Sequence, residues 1–412
     1  NDTYTKENTC KFLGWSTDKN ATKATYAPGQ SISIDHNTTL YAVYANHSYN
    51  DKGICTACSG LDHTCQYSAN GFCTRCGGYE PAKLVDGYYQ IGNGGQMFWF
   101  ANHINTVDRT ANAKLTADID LENRAWTRIG STGETNNNFR GHFDGQGHTV
   151  TGLSVNANRA GSGFFGEVRL GTVENFTIRG DVTVTANSVT YVGGVIGSAP
   201  GANSNQPDHN GATIRNITSY VDVTVEDDKT GVGRIGGFIG YANHETIIEN
   251  CAWDGTIDLG NQSMNLGAGG FIGRVNENSA VTIRNCGAYG SIVNDSVTEN
   301  VGAFMGLTNT GTNTVIENCL FAGSVSGTNA SSVTPFGTWN GASKTLTNSY
   351  YINTLGTTDA DAVKVTADQL ASGEVAYKLG SAWGQTIGTE DYPVLGGAKV
   401  YSITNCKNEV IY

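Results

Sequence analysis

The sequence predicts a mainly β chain whose body is a right-handed parallel β-helix, a solenoid with helical caps, preceded by a small β module and a Cys-rich segment. An Asn-centred phrase recurs six times between about residues 173 and 355. A Gly-rich phrase recurs beside it at steps of 31, 43, 33, 33 and 31 residues. The 54 Gly, 6 Pro and 15% charged residues fit extended structure with many turns.

The formal net charge of −12, with no Lys/Arg cluster to offset it, argues against a phosphate-binding groove. Nucleic acid and anionic membrane are therefore poor partners. No apolar run approaches the ~20 residues that span a bilayer, so no membrane insertion is expected in this segment. Asn1 does not begin a signal peptide, and the expectation is a piece cut from a longer protein.

Residues 1–46 alternate short apolar runs with turns: Tyr4, Cys10, Phe12, Gly14-Trp15, Tyr26, Ile32, Ile34 and Leu40-Tyr41-Ala42-Val43-Tyr44. This predicts three or four strands, with Trp15 and the Leu40–Tyr44 run inside because so small a unit needs its aromatics for a core. Cys10 reads as a buried apolar residue. The words Phe12-Leu13-Gly14-Trp15-Ser16-Thr17-Asp18 and Thr38-Thr39-Leu40-Tyr41-Ala42-Val43-Tyr44 resemble the Listeria–Bacteroides repeat, a β-grasp-like module of bacterial surface proteins. That resemblance implies a spacer or adhesive role without chemistry.

Residues 47–80 repeat at close range: His47-x-Tyr49-x3-Gly53-x-Cys55-x2-Cys58, then Cys65-x-Tyr67-x3-Gly71-x-Cys73-x2-Cys76. Two residues between thiolates let both sulfurs turn toward one ion, and two such knuckles complete a tetrahedron. Cys55, Cys58, Cys73 and Cys76 are thus the expected ligands of a structural zinc. His47, His63 and Cys65 offer a second or differently partitioned site. Two disulfides are the alternative pairing of the four Cys.

Residues 81–362 form the coil and its N-terminal cap. Gln96 to Asn105 places Met97, Phe100, Ala101 and Ile104 on one helical face, suited to capping an open stack. The segments Ala113–Leu121, Trp126–Gly130 and Phe139–Val150 then read as the first coils. Any enzyme site would begin with Asp118, Asp120, Asp144, His142 and His148, the densest carboxylate and imidazole grouping of the coil region. Against catalysis, Asp144-Gly145-Gln146-Gly147 has turn chemistry, and Asp118 and Asp120 sit at strand exits.

The Asn phrase runs Val173/Asn175/Gly180/Val182, Ile214/Asn216/Val223, Ile248/Asn250/Gly255/Ile257, Ile283/Asn285/Gly290/Ile292, Ile316/Asn318/Gly323/Val325 and Leu346/Asn348/Leu355. Apolar positions fall two before Asn and one, three and seven after it, so the inward phase switches at Asn. Asn accepts left-handed backbone angles. A corner there would stack the side-chain amides into a ladder. The next position holds Cys251, Cys286 and Cys319 in consecutive copies, which read as buried thiols. Trp253, Tyr289, Phe321, Tyr350 and Tyr351 share no repeat position, so a continuous sugar-stacking stripe is not expected.

The words Gly236-Gly237-Phe238-Ile239-Gly240 and Ile248-Glu249-Asn250-Cys251 resemble the GLUG-motif repeats of bacterial surface proteins, adhesins and some secreted proteases, over about residues 115–355. The resemblance implies architecture rather than activity. Metalloprotease relatives carry a His-Glu-x-x-His helix, which this sequence lacks.

In residues 363–412, Thr366 to Leu379 predicts a short helix broken by Gly373 that seals the far end, followed by a terminal strand. Val400 to Tyr412 lacks a closing signal, so more protein is expected beyond it.

The functional expectation is a non-catalytic, extracellular adhesin-like segment of a bacterial cell surface, a stalk and scaffold binding a host protein or glycan. Its contacts would lie on the variable positions or the 198–212 loop. The alternatives are a carbohydrate-active β-helix enzyme and an immunoglobulin-binding surface antigen. None of these motifs specifies an oligomeric state.

Overall fold

A computed structural model describes residues 9–46, 48–56, 63–131, 138–200, 210–243, 245–261, 267–352, 354–404 and 410–412. Tyr4, His47, Cys58, the side chain of Cys10 and most of the 198–212 loop lie outside them. The chain divides into two units, Asn1–Glu80 and Pro81–Tyr412.

In the first unit, strand Thr9–Ser16 pairs antiparallel with Tyr41–Asn46. Among the described residues of 9–46, the bridge from Trp15 to Tyr26 stands where further strands were expected. Gly14, at φ +135°, permits this crossing, because a Cβ there would meet Tyr26 O at 2.1 Å. Phe12 packs edge-on to Trp15 and against Tyr44. The expectation of an aromatic interior needs correction: Trp15 and Tyr41 are 40% and 38% exposed, and Val43 is the buried member of the run. Two paired strands have one covered face at most, so half of their alternating side chains stay wet.

The Cys-rich segment folds as two copies of one turn. Asn50 N–H donates to Ile54 O at 3.0 Å, and 18 residues later Ser68 N–H donates to Phe72 O at 2.9 Å. Thr56 N–H reaches Ser48 O at 2.9 Å, as Thr74 N–H reaches Gln66 O at 3.0 Å. Gly53 and Gly71 take the left-handed angles, φ +69° and +77°, that close each turn.

In the second unit the described strands of the repeats pair in parallel, copy to copy. Those before the Asn form one continuous ladder: His142–Asp144, the starts of Thr172–Val184 and Asn210–Val225, then Glu245–Glu249, Ala280–Arg284, Asn313–Glu317 and Ser343–Thr347. A second sheet holds Thr190–Gly193, Gly233–Gly236, Ala268–Gly269 and Val301–Gly302. A third holds Phe165–Glu167, Ile196–Ala199, Ile239–Ala242, Ile272–Val275, Met305–Thr308 and Thr338–Trp339. The Gly-rich phrase joins the second sheet to the third. Its rings stack inside, with Phe238, Phe271, Phe304 and Phe336 at successive centroid distances of 5.2, 4.8 and 5.3 Å. Gly237 and Gly270 stay bare because a Cβ would meet Trp253 ring atoms at 2.3 and 2.8 Å and, at Gly270, also Ala303 O at 2.3 Å.

All six phrase Asn residues have positive φ, from +47° to +62°. Each amide donates to the previous one, Asn216 to Asn175, Asn250 to Asn216, Asn285 to Asn250, Asn318 to Asn285 and Asn348 to Asn318, at 2.8 to 3.2 Å. The ladder begins on Asp144 Oδ1, which accepts from Asn175 at 2.9 Å, and also reaches Lys378 O from Asn348 at 2.8 Å. Cys251, Cys286 and Cys319 are fully buried, and burial pushes the Cys286 thiol far up.

Helix α1, Gly94–Thr106, is capped by Asn93 and buries Met97, Phe98, Phe100, Ala101 and Ile104. Phe100 meets the rings of Phe139 and Phe143, and Phe98 sits on Trp126. Helices α2, Ala367–Ala371, and α3, Glu374–Leu379, begin from a Thr366–Gln369 capping box and from Gly373. Their apolar face packs with Leu320, Tyr350 and Trp383, partly buried Tyr289 joining from the neighbouring copy. Tyr289 O–H donates to Pro393 O at 2.8 Å and stacks on Tyr392 at 4.7 Å. The C-terminal segment thus covers a flank of successive copies instead of only sealing an end. The reason is visible in phase: Leu320 and Tyr350 are two residues after Asn, opposite in alternation to inward Cys319 and Ser349, and need a cover of their own.

Candidate functional sites

The carboxylate grouping resolves into separate small networks. Asp118 accepts from Thr149 N–H at 2.9 Å and lies 3.2 Å from His148 Nδ1; these contacts, the backbone one first, hold its carboxyl below the ordinary value. Asp120 accepts from Glu122 N–H at 2.8 Å, an Asx turn. Asp144 accepts from Gln146 N–H at 3.0 Å besides Asn175. Burial alone would raise Asp144, but the hydrogen bonds of Asn175 and Gln146 outweigh it and leave the group lowered.

The structure brings His142 and Asp144 together with a residue that sequence reasoning missed, Glu174. Glu174 is only 5% exposed. His142 Nε2 lies 2.6 Å from Glu174 Oε1, its Nδ1 lies 2.9 Å from Tyr88 O–H, and Arg215 Nε donates to the other Glu174 oxygen. Burial raises the Glu174 carboxyl, yet the contacts of Arg215 and His142 bring it below its ordinary value. Three ligand atoms here lie close enough to share an ion, but each is already hydrogen-bonded or ion-paired. A general acid needs a raised pKa, and Asp118, Asp144 and Glu174 are all lowered. Burial does raise Glu167 and Asp254, which sit among different neighbours, Arg169, Arg140 and Arg128 for the first and Arg179 for the second.

Glu174 belongs to a column. The residue before each corner reads Asp144, Glu174, Arg215, Glu249, Arg284, Glu317 and Thr347, in register on adjacent strands. Arg284 reaches Glu317 at 3.0 Å and Glu249 at 3.5 Å. Alternating charge at that position was the available signal, visible only once the copies are aligned.

In the Cys-rich segment, His63, Cys65, Cys73 and Cys76 each present a ligand atom within 4.8 Å of the others and could hold a metal ion. Cys65 and Cys76 sulfurs are 3.7 Å apart, and Cys73 Sγ is 3.7 Å from His63 Nε2. Sulfurs bound at about 2.3 Å in a tetrahedron lie about 3.8 Å apart. Cys65, Cys73 and Cys76 are free thiols. Backbone N–H groups of Cys76 and Arg75, with His63, pull the Cys73 thiol down to about 5. Burial first, then the thiols of Cys73 and Cys76, push Cys65 up to about 11. The grouping therefore combines the Cys73-x-x-Cys76 knuckle with the His63 and Cys65 of the weaker expected set; Cys55 is not a member, and Cys58 lies outside the described residues.

No protein-family model matches the chain. Halomucin of Haloquadratum walsbyi is 27% identical over 155 residues, 35% of this chain and 2% of that protein's length. The chain thus spans a small fraction of this curated relative. Among solved structures, a Bacteroides ovatus protein provisionally described as an immunoglobulin A1 protease superposes with a TM-score of 0.59 at 20% identity, covering 81% of this chain and 99% of that one. That likeness is one of fold. No helix among the described residues is long and apolar enough to cross a membrane.

Proposed function

We propose that the chain is an extracellular, non-catalytic segment of a bacterial surface protein, an adhesin-like stalk and scaffold that binds a host protein or glycan. In this reading the parallel ladders are the turns of a right-handed β-helix of GLUG-like repeats. Its leading module is Listeria–Bacteroides-like, and a structural zinc is held by His63, Cys65, Cys73 and Cys76. The observation that carries it is the state of the carboxylates. Asp118, Asp144 and Glu174 accept structural hydrogen bonds, and their lowered carboxyls do not suit the general-acid half of a glycosidase pair. A four-ligand zinc leaves no open position for chemistry.

The immunoglobulin-binding alternative draws support from the description of the Bacteroides ovatus neighbour. Purified immunoglobulin A1, a host glycan array and polysaccharide substrates separate the readings. Binding without new reducing ends or new peptide termini supports the scaffold. Release of either overturns it.

A further inference from the structure

A cleft of about 600 Å³ opens on the third sheet, across the copies that contribute Ile272–Val275, Met305–Thr308 and Thr338–Trp339. Its lining combines residues that vary between copies, Arg274 from one strand and Trp339 from the third, with Asn309, whose position is Asn in successive copies (Asn243, Asn276, Asn309 and Asn340); Glu277 and Glu299 are among the surrounding residues. Such a volume lies within the ~300–1,000 Å³ range of small-ligand clefts.

Two features distinguish this cleft from an ordinary dent between strands. Trp339 is held in place, since the Lys344 ammonium lies 5.0 Å from its ring centroid and is itself fixed by Asp359 at 3.0 Å and Asp361 at 2.8 Å. Its indole Nε1–H is nevertheless shielded from solvent with no acceptor. A donor shielded in this way is out of a ligand's reach, so recognition would rest on the indole ring and on the polar groups that line the cleft. Asn309, 5% exposed, accepts from Arg274 Nε at 3.2 Å and from Nη2 when its amide oxygen faces the guanidinium. The planar polar groups are thus preset.

The chemistry selects a ligand class. Planar amide, guanidinium and carboxylate groups pair with adjacent hydroxyls, and an indole offers a flat face to the C–H side of a sugar ring. Exposed Glu277 and Glu299, on a chain of net charge −12, repel anionic ligands. Apolar lining is limited to Leu307 and Trp339, which leaves no deep apolar hole for a peptide anchor. Tyr241, in register with Arg274 on the preceding copy, packs at a tilt against Tyr191 with centroids 4.7 Å apart and places an aromatic pair beside the cleft.

We propose that this cleft binds a neutral oligosaccharide, with Trp339 as the stacking anchor and Arg274, Asn309, Glu277 and Glu299 as hydroxyl partners. The proposal rests on the scaffold reading and gives it a ligand class and a location.

The test applies the full 412-residue chain to printed neutral oligosaccharides ending in galactose, N-acetylgalactosamine, glucose, mannose or fucose, beside sialylated glycans and a Lys-rich peptide. A neutral hit is expected. Trp339→Ala should weaken it at least about tenfold, and the double variant Glu277→Gln, Glu299→Gln several-fold, with unchanged melting. If Trp339→Ala does not fold, the exposed double variant decides. Unchanged binding in the folded variants overturns the cleft. So does binding confined to sialylated glycans or to the peptide. Capture of immunoglobulin A1 with no glycan bound also overturns the cleft while sparing the scaffold reading. Release of reducing ends would remove that reading itself.

Discussion

The first and second units both repeat themselves, yet they bury very different interiors. Among the described residues of Asn1–Glu80 the buried apolar side chains are Val43, Cys55, Phe72 and Cys73. A single stretch of the second unit, 268–283, buries Ala268, Phe271, Ile272, Val275, Val281 and Ile283. An 18-residue repeat is too short to enclose a core, so its copies must be held by something other than apolar area. Repeats of 31 to 43 residues enclose one, and each copy extends the interior of the last. Where area is scarce the chain supplies thiols and imidazole, and where area is plentiful it supplies amides and rings in register.

The largest effect should come from breaking the poorer side of this contrast. Chelation, or Cys73→Ser with Cys76→Ser, should unfold the Cys-rich segment, since a structural zinc contributes about 10 kcal/mol or more of apparent folding free energy at neutral pH. Limited proteolysis should then cut within 48–80 while the melting of Pro81–Tyr412 stays put. Metal analysis of the untreated chain should find one zinc for the His63, Cys65, Cys73 and Cys76 set. A metal-free chain that resists protease there would refute the coordination.

On the richer side, Phe271→Ala should cost about 3–5 kcal/mol. Phe271 is fully buried between Phe238 and Phe304, and the flanking rings are too constrained by their own strands to close the gap. Denaturant unfolding should show the loss with the zinc content unchanged. A loss under about 1 kcal/mol would mean that the ring stack is not a packed column.

Asn285→Ala should cost less, about 2–3 kcal/mol. It removes the donor to Asn250 and the acceptor for Asn318, and it places Cβ-bearing Ala at φ +51° without the local hydrogen bond that favours Asn there. Asn285→Gly relieves the backbone term alone, so it should recover roughly a third to a half of that loss. Equal losses in the two variants would show that the amides, and not the left-handed corner, set the cost.

These columns were legible to different degrees, for physical reasons. The Asn corner could be read from sequence because the switch of apolar phase and the left-handed preference fall on one residue. The face of α1 could be read because Met97, Phe100, Ala101 and Ile104 follow helical spacing. Glu174 could not, because a charge one residue before a corner looks solvated until Arg215, 41 positions away, is placed beside it. The candidate metal grouping was half legible: a Cys-x-x-Cys pair singles out two candidate ligands, while the nearness of His63 and Cys65 to them is visible only in the folded segment. The cover over Leu320 and Tyr350 was hidden because it lies in a segment with no repeat to align.

The buried members of the charge column should respond to acid. Asp144 and Glu174 have folded pKa values below their ordinary 3.8 and 4.5. Their contribution is therefore complete above about pH 4.5 and is lost as pH falls through the lowered folded values. Glu174→Gln should cost about 1–3 kcal/mol at pH 7, because Arg215 and His142 lose a charged partner. It should also flatten the fall in melting temperature below pH 4.5. An acid limb as steep in the variant as in the parent would show that Glu174 is not its source.

The exposed member of the same column should matter least. Arg284 lies between Glu249 and Glu317, but its side chain is 46% exposed and those of its partners 34% and 40%. Water already solvates all three, and holding a long side chain between two others costs rotamer entropy. Arg284→Ala should therefore cost no more than about 1 kcal/mol and should approach zero in 1 M salt, where the screening length falls to about 3 Å. Glu174→Gln measured in the same salt should keep most of its effect, since burial keeps counterions away. If the two variants respond alike to salt, burial does not divide the column, and the strength of each charge pair would follow its place in the alternation alone.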